Sequence, residues 1–183
     1  MSLAPPITVN LLVSYAHADA AAKADLLDRL QPNLANLSAV TACLPGAVRA
    51  QTWPLTFSLW DDTLIPAGVV WDDFIRDHVD AATFGLHLLS PSLLTSAYVR
   101  DHEIDPFVGP GHDRTIPVLL KRLPLDGSMD LRGFQRRQIV LGPDGRPYDE
   151  LARPSERDAF AQRLALGIRG RVQAELERGN LTP

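Results

Sequence analysis

Three short polar segments follow predicted β-strands in this sequence, and their positions suit ligand binding. They are SYAHAD at 14–19, WDD at 60–62 and SPS at 90–92. In open α/β sheets, ligands bind outside the carboxyl ends of the parallel strands, which lie along one edge. Hydroxyl, imidazole and carboxylate groups at that edge can contact the polar groups of a small molecule. We therefore expect a site where these segments meet.

The first segment offers three candidate ligand contacts, Ser14, Tyr15 and His17. For His17, an exposed loop position is an equally good interpretation. Asp19 has the residue type and the position of a helix N-cap, and this role is favoured over ligand binding.

Glu103 lies in the stretch LLTSAYVRDHEI, beyond the predicted strand that ends at Ser90. A carboxylate in a cleft can catalyse a reaction, whereas one on an open helix face only solvates the helix. Residue type alone favours the solvated residue, because glutamate is rarely buried. Other features of the sequence are needed to decide between the two.

Alternating strands and helices must position these residues. Residues 7–15 form an apolar run rich in β-branched side chains, which predicts a central strand buried on both faces. A helix follows, with leucines at spacings of three and four, and Pro32 must bend or end it. Residues 38–54 have no clear period and carry turn residues, so their structure stays unassigned.

The remaining chain continues the alternation. Strands are predicted at 55–62, 83–90 and 114–122, with a short fifth strand within 136–151, and helices are predicted at 69–82 and 96–108. On the first of these helices, Trp71 fits the apolar stripe, and packing is favoured over a ligand role. Ser155 is predicted to cap a final helix, whose apolar residues recur at a spacing of four: Phe160, Leu164, Ile168, Val172 and Leu176.

Strands that alternate with helices imply right-handed crossovers and a parallel sheet covered on both faces. We predict a three-layer α/β fold of the flavodoxin-like type, with five parallel strands. The length of 183 residues and the hydrophobic content of 45% favour a single domain over 1–183, with its core at about 8–176.

Composition argues against several functional classes. The net charge of -4, without a basic block, argues against direct binding of nucleic acid. One cysteine, Cys43, cannot form an internal disulfide or a cysteine-based metal site. No apolar stretch approaches the roughly 18 residues that span a bilayer, and no basic segment precedes the first apolar run. These features predict a soluble, cytoplasmic protein without a membrane partner.

Known motifs for cofactors and hydrolases are missing from the sequence. There is no G-x-S-x-G nucleophile elbow, no Walker loop and no G-x-G-x-x-G loop. The acidic residues of the helix at 69–82 point in mixed directions, which predicts a solvated face and no metal site. They are Asp72, Asp73, Asp77 and Asp80.

Taken together, five segments resemble a TIR (Toll/interleukin-1 receptor) domain, and more closely the domains of bacterial TIR proteins. Each segment alone is a weak signal, but they run in the family's order over almost the whole chain. They are LLVSYAHAD (11–19), LWDDTLIPAGVVWDDFI (59–75), LLSPSLLTSAYVRDHEI (88–104), TIPVLLKR (115–122) and LGPDGRPYDE (141–150) with the helix after it.

The resemblance implies an activity. Many bacterial and plant TIR domains cleave the bond between nicotinamide and ribose in NAD, using a glutamate on the helix after the third strand, and Glu103 stands at the matching position. Loss of nicotinamide leaves positive charge on the ribose, which a nearby carboxylate stabilises. NAD is then a substrate, and neither a metal nor a cofactor is expected.

The resemblance also implies substrate contacts. Ser14, Tyr15 and His17 are expected to contact the ribose or adenine of NAD. The family places an acid beside the site after the second strand, so Asp61 or Asp62, next to Trp60, is expected to hold ribose or to position the following loop.

One aromatic position departs from the family pattern. Many NAD-cleaving TIR domains have tryptophan four residues before the catalytic glutamate, where this chain has Val99. Tyr98, five residues before Glu103, is expected to form that wall of the site instead.

The implied setting is bacterial antiviral defence, with activation by self-association through the loop TLIPAG (63–68) and a separate sensor protein. The product is ADP-ribose or a cyclic isomer. Two alternatives stay open: a non-enzymatic TIR adaptor that acts by assembly alone, and an N-glycosidase of nucleosides.

Overall fold

One five-stranded mixed sheet organises the chain, as seen in a computed structural model that describes residues 5–65, 71–96, 104–108 and 113–183. The strands are β1 (Ile7–Ser14), β2 (Ala39–Ala42), β3 (Gln51–Trp60), β4 (Phe84–Leu89) and β5 (Thr115–Leu119). Their order is β2-β3-β1-β4-β5, which makes β1 central as predicted and is compatible with a flavodoxin-like fold. β1, β3, β4 and β5 are parallel, whereas β2 is antiparallel to β3, so the prediction of an entirely parallel sheet is wrong at this edge.

The antiparallel edge comes from the segment that the sequence left unassigned. Residues 38–54 contain β2 and the beginning of β3, joined by a connection at 43–50 that is too short for a parallel crossover. The hydroxyl groups of Thr41 and Thr52 pair across the two strands at 2.8 Å. At the outer edge, Arg169 donates a hydrogen bond to the carbonyl of Ala39 at 3.0 Å, which satisfies one backbone group of the edge strand.

The predicted fifth strand is reduced to a single bridge. Val140 pairs with Val118 in parallel, and its amide donates to the carbonyl of Pro117 at 2.8 Å. Gly142 and Pro143 then turn the chain away from the sheet, since the Gly142 amide bonds back to the carbonyl of Arg146 at 2.7 Å. The prediction of a short strand within 136–151 is therefore wrong.

Five α-helices lie in the described ranges. They are α1 (Ala20–Asn36), α2 (Trp71–Ala81), α3 (Pro91–Thr95), α4 (Asp105–Val108) and α5 (Pro154–Arg178). α1 continues through Pro32 to Asn36, so the proline does not end it. Of the helix predicted at 96–108, residues 105–108 are helical and form α4, whereas residues 97–103 lie outside the described residues. The short helix α3 lies before this region.

The final helix begins one residue before the predicted cap. Pro154 takes the first helical position, where its fixed φ favours the helix and its missing amide costs nothing, so Ser155 lies inside α5 and does not cap it. The carboxylate of Glu156 accepts a hydrogen bond from the Arg153 amide at 3.2 Å. The five apolar residues predicted to face the sheet are fully buried, and burial of each contributes roughly 1.5 to 3 kcal/mol.

Apolar side chains fill both faces of the sheet. One large cluster joins Leu11 and Val13 of β1 with the buried faces of α1 and α5. On the opposite face, Leu12 packs with α2 residues Ile75 and Val79. Strand alternation produces this division, because successive side chains of β1 point to opposite faces. Within the described ranges, no helix is both long and apolar enough to span a membrane.

His87 is a buried polar residue within this core. It lies on β4, is fully buried, and packs against Phe107 and Phe134 with ring centroids 5.6 and 5.2 Å away. Neither ring nitrogen has a hydrogen-bond partner among the described residues. Burial, together with the nearby positive charge of Arg137, lowers the pKa of His87 from 6.5 to about 3.

Replacing His87 by leucine should therefore make the protein more resistant to acid. Between pH 6.5 and about 3 the unfolded state binds more protons at this position than the folded state. The free energy of unfolding of the wild type should fall by up to about 1.4 kcal/mol per pH unit as the pH drops through this window. His87→Leu should lack this contribution. Urea denaturation at neutral pH and near pH 5 measures it, and a stability difference independent of pH would contradict it.

Candidate active site

The carboxyl ends of the parallel strands bring the three polar segments together, as the sequence predicts. In the register of the sheet, Leu12 lies beside Trp60 and Ser14 beside His87. Asp61 follows β3 directly and Ser90 follows β4 directly, so both lie at the same edge as the residues after β1. This edge is the candidate site.

A buried ion pair lies on the α1 side of the edge. The ammonium of Lys23, from α1, is 2.8 Å from Oδ2 of Asp61, and the two side chains are only 9% and 10% exposed. The ammonium also lies 4.3 Å from the centroid of the Tyr15 ring, a cation–π distance. Tyr15 and Asp61, both predicted to contact substrate, are thus joined through one cation.

The second oxygen of Asp61 fixes the chain that follows β3. Oδ1 accepts hydrogen bonds from the Thr63 amide at 2.9 Å and from the Thr63 hydroxyl. This arrangement begins a 3-10 turn at Asp62–Leu64. Burial raises the pKa of Asp61, but the hydrogen bonds from Lys23 and Thr63 outweigh it, so this pKa lies below its ordinary value.

A second buried carboxylate, Asp19, connects the ends of three strands. It takes the N-cap position of α1 as predicted, but its side chain makes no capping hydrogen bond, so that part of the prediction is wrong. It accepts a hydrogen bond from the Ser90 hydroxyl at 2.5 Å and lies 2.6 Å from the ammonium of Lys121. The ammonium of Lys121 supplies a full counter-charge to the buried carboxylate, which a backbone amide of the helix cannot, and this explains the orientation. The same contact with Asp19 raises the pKa of Lys121.

His17 and Asp62 form an outer pair on the same edge. His17 lies in a 3-10 turn at His17–Asp19. Its Nε2 is 2.5 Å from Oδ2 of Asp62, and its side chain is 77% exposed. The exposed position fits the loop interpretation of His17, and the same position leaves the imidazole accessible to a ligand.

Ser14 and Trp60 face the other side of the sheet, toward α2. Trp60 is half-buried and stacks on His78 with ring centroids 4.1 Å apart, beside a cavity of 260 Å³ that Ser58 and Leu12 also line. Ser14 is fully buried, and its hydroxyl has no hydrogen-bond partner among the described residues. The predicted contacts therefore divide between the two faces of the sheet.

Two predicted residues cannot be placed. Glu103 and Tyr98 both lie outside the described residues, as does the side chain of Trp71. In the part of the chain that the structure describes, no three histidine, cysteine or acidic side chains are grouped as metal ligands would be.

Three features of this edge are not predicted from the sequence: the ion pair of Lys23, the capping role of Ser90, and the contact of Lys121 with Asp19. Lys23 carried a signal, because it falls on the buried stripe of α1 with Leu26, Leu27, Leu30 and Leu34, where a charge must find a partner. Ser90 precedes Pro91, and its hydroxyl accepts the Leu93 amide at 3.0 Å. Serine followed by proline at a helix start predicts such a cap. For Lys121 we find no sequence signal.

No known protein family matches this chain in a scan of family models, and no curated protein matches it with statistical significance.

Ser90→Ala should destabilise the protein by about 2 kcal/mol. It removes the N-cap of α3, worth about 1 kcal/mol, and the hydroxyl that donates to the buried Asp19, worth a similar amount. Ser92→Ala, at an exposed position of the same helix, should change the free energy of unfolding by less than about 0.5 kcal/mol. Urea denaturation of the two variants makes the comparison, and equal effects would remove the special role of Ser90.

Proposed function

We propose that this chain is a TIR-domain NAD nucleosidase with a flavodoxin-like fold. The observation that carries the proposal is the set of contacts around Asp19. Its carboxylate meets Ser90 and Lys121, which belong to two other segments of the TIR resemblance, far apart in sequence. Ligands in open α/β sheets bind outside the carboxyl ends of the strands, so the meeting of these segments at that edge supports the proposal.

In the proposed reaction, Glu103 supplies the catalytic carboxylate. The bond between C1′ of ribose and the nicotinamide nitrogen breaks, and the electron pair leaves with nicotinamide. The positive charge that remains on the ribose is stabilised by the carboxylate, at about 4 Å and an effective dielectric near 20 by roughly 4 kcal/mol, or about a thousandfold in rate. Water then attacks C1′ and loses a proton to give ADP-ribose, or an adenine nitrogen attacks to give a cyclic isomer.

The described residues supply the frame of the proposed site. The Lys23–Asp61 pair holds the end of β3 close to Tyr15. His17 and Asp62 lie at the exposed rim, where a ribose hydroxyl can reach them. Tyr98 is proposed as the aromatic wall beside the nicotinamide.

Glu103→Gln should reduce nicotinamide release from NAD by about a thousandfold, because the neutral amide no longer stabilises the ribose cation. Glu177→Gln, at an exposed position of α5, should keep the wild-type rate. Chromatographic detection of nicotinamide in the two variants and the wild type tests the proposal. If the Glu103→Gln variant released nicotinamide at the wild-type rate, Glu103 would not be the catalytic residue.

Assays of the wild-type protein with NAD and with nucleosides distinguish the proposed enzyme from the two alternatives. A TIR adaptor should release nothing from NAD, and a nucleoside N-glycosidase should release free base from nucleosides while sparing NAD. Either result would overturn the proposed substrate.

Self-association is proposed to activate the enzyme through the loop after β3. Leu64, in the described part of this loop, exposes 57% of its surface and so offers apolar area to a partner. We propose that it contacts a second copy of the chain, where burial of a leucine contributes roughly 1.5 to 3 kcal/mol.

Turnover per molecule should therefore rise with protein concentration, and Leu64→Asp should reduce this rise. Leu166→Asp is a matched control, because Leu166 is also an exposed leucine, at 49%, but belongs to α5 and not to the loop. Initial rates over a dilution series and light scattering of the same samples provide the measurement. A wild-type turnover independent of concentration would contradict activation by assembly.

A further inference from the structure

We infer that Lys23 is a positioning residue for the proposed site, which fixes the turn at Asp62–Leu64 after β3 and so controls the affinity for NAD. The inference rests on the proposed function, since it assigns Lys23 a role in binding the same substrate. Lys23 lies on α1, outside every segment that carries the TIR resemblance.

Burial forces Lys23 into a fixed position. A buried ammonium is costly unless a counter-charge and hydrogen-bond acceptors surround it. Lys23 meets this requirement through Oδ2 of Asp61 at 2.8 Å and through the face of the Tyr15 ring. Because the cation must keep both contacts, it fixes the ends of β1 and β3 relative to α1.

Asp61 transmits this restraint to the loop. Its Oδ1 accepts the Thr63 amide, and its carbonyl accepts the Leu64 amide at 3.1 Å. The 3-10 turn that begins the loop is therefore built on one carboxylate, and Lys23 holds that carboxylate. A binding segment whose turn is fixed in advance loses less conformational freedom when a ligand binds.

The geometry argues against direct catalysis by Lys23. Its charge is already bound by Asp61, and an unpaired cation near the reacting ribose would oppose the positive charge that develops there. Its effect is expected on substrate binding, with the chemical step almost unchanged. A residue that acts in this way raises KM and leaves kcat nearly constant.

The test compares Lys23→Met with Lys23→Arg and Arg29→Met. Arg29 lies six residues further along α1 and pairs with Asp25 and Asp158, so its replacement also removes a cation from this helix but leaves the Lys23–Asp61 contact in place. Amide hydrogen exchange at Thr63 reports the loop directly and needs no enzymatic activity. Near-ultraviolet circular dichroism verifies that each variant is folded, and Lys23→Gln replaces Lys23→Met if the latter does not fold.

In Lys23→Met, exchange at Thr63 should be faster by about tenfold or more, and KM for NAD should rise about tenfold with kcat within about threefold. Lys23→Arg should restore most of both properties, and Arg29→Met should leave both within about twofold. Unchanged exchange at Thr63 in a folded Lys23 variant would overturn the inference, as would a loss confined to kcat. If the wild type cleaves no NAD while exchange at Thr63 responds as described, the proposed function fails and the ordering role of Lys23 stands.

Discussion

Two buried carboxylates at the carboxyl edge of the sheet must be paired with cations, and these ion pairs determine much of the local structure. An ionised carboxylate that loses its water needs a cation and hydrogen-bond donors, or burial becomes very costly. Asp61 obtains them from Lys23 and Thr63, and Asp19 from Lys121 and Ser90. The partners of each carboxylate include residues that are distant in sequence. The contacts that stabilise the two charges therefore also hold α1, β3, β4 and β5 in place around β1.

The alternation of side chains along each strand divides this edge into two environments. Tyr15 and Asp61 face α1 and form a rigid, charged cluster with Lys23. Ser14 and Trp60 face α2. Among the described residues, the Ser14 hydroxyl has no hydrogen-bond partner, and the Trp60 indole stacks on His78. Under the proposed function, NAD would meet the charged cluster on one side of the strand ends and the stacked indole on the other.

Long periodic segments were predicted well, because their signal is local and strong. The apolar run of β1 and the spacing of Phe160 to Leu176 each identify one buried surface without reference to any partner. Apart from the cap of the final helix, the errors concern elements that depend on a partner distant in sequence. β2 has only four residues and gains its hydrogen bonds from β3, whereas Val140 forms one bridge because Gly142 and Pro143 redirect the chain. The sequence predicts a capping role for Asp19 because the helix amides are its nearest donors, whereas its actual partners follow β4 and β5.

The sequence alone determined the alternation of strands and helices, the central position of β1, and the three segments at which a site should form, since these features depend on residue periodicity and on the shared direction of parallel strands. The tertiary structure decided which charges pair with which. Lys23 and Asp61 are 38 positions apart, and Ser90 and Asp19 are 71 apart. The energy of these contacts depends on burial and on separations of a few ångströms, which the order of residues does not specify.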